Sequence, residues 1–155
     1  GIAGIYIPYF AEANVNINQP ALLIASSAAH ETAHYLGVAR EDEANFVSYL
    51  ACTYSLDASV RYSGTMLALI NCANQLYASD AELYRRLVSE YYSEGMLRDL
   101  RDYNAYWDSF EGPIEEAVDN MNDNYLKFNK QENGVKSYGM MVDLLLAYYA
   151  KGSAQ

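Results

Sequence analysis

Asn18-Gln19-Pro20-Ala21-Leu22-Leu23-Ile24-Ala25-Ser26-Ser27-Ala28-Ala29-His30-Glu31-Thr32-Ala33-His34-Tyr35-Leu36-Gly37 is the stretch on which the fold turns. Pro20 stands where a first helical residue belongs, because its missing N–H costs nothing there, and Asn18 just ahead of it reads as a cap. The run that follows is rich in Ala and free of internal breakers, which predicts a helix over about Ala21 to Leu36. Gly37 is the expected C-terminal glycine. Near the end of that helix lies His30-Glu31-Thr32-Ala33-His34, which holds both histidines of the chain. Residues four apart share a helix face, so the two imidazoles are expected to reach one metal ion together.

This is the H-E-x-x-H spacing of zinc peptidases. Neutral imidazole suits Zn2+, and a catalytic zinc uses three protein ligands so that a fourth position stays open. The metal lowers the pKa of a bound water to about 7. Glu31, between the two histidines, is the general base expected to take that water's proton and pass it to the departing amine. A third ligand is sought beyond the turn at Gly37. The pattern that continues H-x-x-G-x-x-H is excluded, because Arg40 stands at the last position and stays cationic. Glu41-Asp42-Glu43-Ala44-Asn45 follows at once. It looks like the E-x-x-A-N element of glutamate-liganded zinc peptidases. That resemblance implies Glu41 as the third metal ligand and Asn45 as the residue that orients a ligating histidine, with Glu43 the alternative ligand.

Outward from this centre the signals stay helical toward the C-terminus and turn extended toward the N-terminus. Ile5-Tyr6-Ile7 is a β-prone run ended by Pro8, and Asn14-Val15-Asn16-Ile17-Asn18 alternates with period two, so two short strands are expected before the first helix. The second of these is also a candidate edge for pairing with an extended peptide. Further helices are predicted over about Arg40 to Tyr54, Ala58 to Tyr77, from the Ser79-Asp80 cap with Glu82 in its first turn, Met96 to Phe110, Pro113 to Asn129 and Ser137 to Ala150. Gly112-Pro113 and Gln131-Glu132-Asn133-Gly134 are punctuation. No repeat or linker divides the 155 residues, which predicts one domain. The fold class is therefore mainly α (α+β), helical with a small N-terminal β element.

Ten basic against twenty acidic residues give a net charge of −10. Such a surface repels phosphate backbones, which argues against nucleic acid and leaves a peptide or protein as the expected substrate. The 16 tyrosines read mainly as packing between helices, as do Trp107, Tyr103 and Tyr106. The stripe Met141, Leu144, Leu145 and Tyr148 reads as core. Cys52 and Cys72 are not spaced as metal ligands and read as buried thiols or a pair bridging neighbouring helices. Arg61, Tyr62, Tyr125, Lys127 and Tyr138 are each able to steady an oxyanion, and spacing selects none of them. No stretch reaches the roughly 18–20 apolar residues that span a bilayer.

Taken together, Glu12-Ala13-Asn14-Val15-Asn16-Ile17-Asn18, the motif through Phe46, Arg61-Tyr62-Ser63-Gly64, Asn122-Asp123-Asn124-Tyr125-Leu126-Lys127 and Ser137-Tyr138-Gly139 resemble one bacterial family, known as domain of unknown function 3810. The resemblance covers nearly the whole chain. It implies a zincin-like domain set behind transmembrane helices, as the C-terminal part of a membrane-anchored protein, and it supplies no substrate. The expected function is that of a zinc metallopeptidase. The rival expectation is a catalytically inactive zinc-binding domain that recognises a partner or acts as a sensor.

Overall fold

The computed structural model describes residues 2–110 and 137–152. Two strands come first, β1 (Gly4–Ile7) and β2 (Glu12–Val15). Six helices follow among the described residues: α1 (Ala21–Tyr35), α2 (Glu41–Thr53), α3 (Ala58–Ser79), α4 (Ala81–Tyr91), α5 (Glu94–Asp108) and α6 (Ser137–Gly152). The mainly helical class with a small β element is thus what the chain adopts. The helix expected over Pro113 to Asn129 and the punctuation at Gln131 to Gly134 lie outside the described residues.

Helix ends follow local chemistry. Asp57, Asp80 and Ser93 each turn a side-chain oxygen onto a backbone N–H of the first turn, which opens α3, α4 and α5. At the end of α1, Val38 N–H reaches the Ala33 carbonyl and Gly37 N–H reaches that of His34, both at 3.0 Å. Gly37 takes φ 100°, the left-handed conformation that this double-bonded stop requires. The chain therefore reverses within a few residues, and α2 starts beside the end of α1.

Two expectations at the N-terminus are corrected. β2 ends at Val15 instead of running to Asn18: the Asn16 N–H still bonds the Ala3 carbonyl at 2.9 Å, but its side chain turns the chain away just beyond. Its side-chain oxygen accepts the Asn18 N–H at 2.9 Å, and its amide donates to the Ile2 carbonyl and the Tyr106 hydroxyl. Asn18 does not cap α1 either. Pro20 itself is the flanking residue, in an extended conformation with no side-chain cap, while the neighbouring Gln19 is buried and bonds Ser27 and the Ala3 carbonyl.

β1 and β2 pair antiparallel, Gly4 opposite Val15 and Ile7 opposite Glu12, and the hairpin packs along α1. The helices bury two apolar clusters. Leu22 and Leu23 of α1 meet Met66 and Ile70 of α3, with Met96, Leu100 and Tyr103 of α5 against them. Tyr49 of α2, Ala68 of α3 and Met141 and Leu145 of α6 form the other. Burying Met66 and Met141 stabilises the fold by about 1.5–3 kcal/mol each. Between the clusters the helices cross closely on small residues. Ser26, Ser48 and Ser63 are buried, and Ser48 of α2 and Ser63 of α3 both bond to Ser26 of α1. A Cβ at Gly64 would fall 2.3 Å from the Cβ of Cys52, so α3 meets α2 there without room for a side chain.

Of the expected core stripe, Met141 and Leu145 are buried, whereas Tyr148 lies at the surface against Phe46. Trp107 packs edge-on with Tyr103 and Tyr106, as expected. Cys52 is buried, Cys72 half-buried, and both are free thiols. No helix among the described residues is long and apolar enough to cross a membrane.

Candidate metal centre

His30 and His34 project from the last two turns of α1, and Glu41 from the first residue of α2. The reversal at Gly37 brings them together. His30 Nε2 lies 3.0 Å from His34 Nε2 and 3.1 Å from Glu41 Oε2, and His34 Nε2 lies 3.5 Å from Glu41 Oε1. Ligand atoms about 2.0–2.1 Å from a tetrahedral ion stand about 3.3–3.4 Å apart. The three separations bracket that value, so the residues fit a zinc ion.

The proton positions point the same way. His34 Nδ1 is 2.7 Å from the Val38 carbonyl, which only accepts, so Nδ1 carries the hydrogen. In the neutral ring Nε2 is then bare and aimed at His30 and Glu41, as a ligand must be. Glu41 has its own reason to be here: with Asp42 and Glu43 it fills the first turn of α2, where carboxylates complement the helix dipole. Among the described residues these three are the only group of His, Cys, Asp and Glu placed to share an ion. Glu43, the alternative ligand, is about half exposed and lies 3.5 Å from Arg40. Arg40 also grips the buried Asp42 through two nitrogens, at 3.1 and 3.2 Å.

Asn45 stands one turn beyond Glu41 and is buried, but it does not hold either ring. Its Nδ2 and His30 Nδ1 are both buried and have no hydrogen-bond partner among the described residues. The ring that is oriented is His34, and the group that orients it is the backbone of Val38. Spacing gave no hint of this, because a main-chain carbonyl has no residue signature. Arg61 donates to the Ser55 and Leu56 carbonyls, and Tyr62 donates to Asp99, so neither serves the cluster. Tyr125 and Lys127 lie outside the described residues, and Tyr138 belongs to the first turn of α6.

Charges across the cluster are coupled. Burial would raise the Glu41 carboxyl, but hydrogen bonds from His30 and His34 and their positive charge hold it down to about 2. Burial would lower His34, yet the bonds to Glu41 and the Val38 carbonyl, with the charges of Glu41 and Glu31, raise it above its usual 6.5. Glu31 is 6% exposed. Burial pushes its carboxyl up from 4.5, against the opposing charges of His30 and His34.

These directions fix a pH dependence. With Nδ1 committed to Val38, the extra proton of a charged His34 sits on Nε2, where it excludes a metal. Zinc affinity should therefore rise with pH until His34 is neutral and then level off. In the metal-free chain the sign is reversed. The His34 contribution to stability is complete below 6.5 and fades as pH climbs through its raised folded value. That of Glu41 is complete above 4.5 and is lost as pH falls toward about 2. Competition with a chromophoric chelator between about pH 6 and about pH 8 measures the first effect, and a flat affinity over that range would contradict it.

The fold and this cluster define a helical domain with a candidate metal centre at the junction of two helices, backed by a β-hairpin. The chain belongs to the family described as "Protein of unknown function (DUF3810)", whose model matches residues 1–146. No curated protein and no solved structure matches it.

Proposed function

We propose that this domain is a zinc-dependent peptidase, with His30, His34 and Glu41 as the metal ligands and Glu31 as general base. The observation that carries the reading is the convergence of two Nε2 atoms and a carboxylate within 3.0–3.5 Å, with the buried Glu31 on the same helix. Among the described residues three ligands converge, all partly open to solvent, which is the pattern of a catalytic site and not of a closed structural one. A zinc ion there supplies Lewis acidity toward a peptide carbonyl and lowers the pKa of water to about 7. Glu31, with its carboxyl raised by burial, is suited to accept a proton on a carboxylate oxygen and return it to the leaving amine. His34 stays oriented through Val38 while this happens. The acidic surface favours neutral or basic polypeptides as substrate. Membrane anchorage, which the family resemblance implies, belongs to the same proposal and would come through a segment outside the described residues.

The second reading, an inactive zinc-binding domain for partner recognition, is favoured by one observation: Arg61 and Tyr62, two of the candidate oxyanion donors, are bonded elsewhere. The two readings part in one experiment. The purified domain is expected to hold one zinc by elemental analysis and to cleave members of a peptide library, with cleavage lost on chelation and restored by zinc. Bound zinc without cleavage would favour the second reading, and no bound zinc would end both.

A further inference from the structure

Gly4 is a strand residue with no conformational need to be glycine, since the one described glycine with positive φ is Gly37. What it lacks is room. A Cβ built on Gly4 would lie 2.6 Å from both Cγ and Oε1 of Glu31 and 2.8 Å from the Asn14 carbonyl oxygen. Real side chains do not approach so closely. The Asn14 carbonyl is part of β2, which is paired to β1 in fixed register, so that wall cannot retreat without breaking the sheet. Two residues further along β1, the Tyr6 backbone N–H favours the charged form of the Glu31 carboxylate, the smallest of the influences on it. The bare Cα of Gly4 and the Tyr6 N–H of the same strand thus face one side chain.

We infer that the hairpin is a clamp on Glu31 and that Gly4 is its positioning residue. The empty space over Gly4 admits the carboxylate, on the side where the Tyr6 N–H favours its charge. The consequence for catalysis rests on the peptidase reading, whereas the clamp itself does not. A Cβ at position 4 displaces Glu31 from Tyr6 and leaves the metal ligands, which lie on α1 and α2, where they are. A glycine kept only for hairpin stability would show no dependence on what stands at position 31.

The test is a four-variant cycle of the wild-type chain, Gly4→Ala, Glu31→Ala and the double variant, melted in the presence of a chelator so that neither metal nor turnover enters. Gly4→Ala is expected to lower Tm in the wild-type background, and to lower it by roughly half as much or less once Glu31 is truncated. Equal losses in both backgrounds would overturn the clamp. If Gly4→Ala alone does not fold, the double variant must, and failure of both overturns it equally. With zinc bound, Gly4→Ala should keep one metal per chain and lower kcat about 10-fold or more, with KM within about twofold of wild type. A raised KM at unchanged kcat would overturn the positioning role. A wild-type chain that cleaves no peptide counts against the peptidase reading, and the thermal cycle then decides the clamp by itself.

Discussion

Glu31→Gln is expected to keep one zinc per chain and to lower kcat by about 10²–10⁴-fold, the range that a positioned proton acceptor contributes. The substitution isolates the proton. Gln has the shape of Glu, fits the same space over Gly4, and still offers an oxygen to the Tyr6 N–H, so packing is preserved. Its amide cannot accept the proton that hydrolysis releases. The loss should fall on kcat with KM nearly unchanged, because the group acts on the reaction and not on substrate binding. Steady-state cleavage of a library-derived peptide, with zinc content measured on the same sample, decides it. Turnover within a few-fold of wild type would remove Glu31 from the mechanism.

Glu41→Ala should weaken zinc binding by well over the roughly 10–100-fold that loss of an outer partner causes, and Glu43→Ala should leave it unchanged. The reason is placement. Glu41 lies 3.1 and 3.5 Å from the two histidine nitrogens, while Glu43 is about half exposed beside Arg40. Without Glu41 the ion keeps two imidazoles and no anionic ligand. The effect extends to stability, since zinc at about 1,000 times its Kd stabilises the folded state by about 4 kcal/mol. For a domain of this size that raises Tm by on the order of 10 °C. The increment should be present in wild type and Glu43→Ala and absent in Glu41→Ala. A zinc-dependent rise that survives in Glu41→Ala would show that the third ligand is another group.

Much of the helical framework was legible because its signals are local. Alanine-rich runs, the Asp80 cap and the Gly37 stop each act within a turn of the chain, and the observed helix ends fall within a few residues of those expected, while the Asp57 and Ser93 caps emerged only with the structure. The hairpin was legible in kind but not in extent. Period two marked Asn14 to Asn18, but the side chain of Asn16 competes for the backbone, a contest that alternation of residue types cannot reveal. The tyrosines were read as packing, and several do pair edge-on. Tyr49 is nevertheless the only tyrosine that is buried among those whose burial is described, the others being half-buried or exposed.

By itself the sequence determined that His30, Glu31 and His34 share one end of one helix, because the 3.6-residue period is a property of the backbone. It also placed an acidic helix start a short turn away. Only the tertiary structure placed Glu41, and not Glu43, beside the two histidines, since that placement depends on how α2 leaves the reversal at Gly37. It alone set Val38 against His34 and Gly4 over Glu31. Both of those contacts are made by backbone atoms or by a missing side chain, and residue type says nothing about where either will lie until the chain has packed.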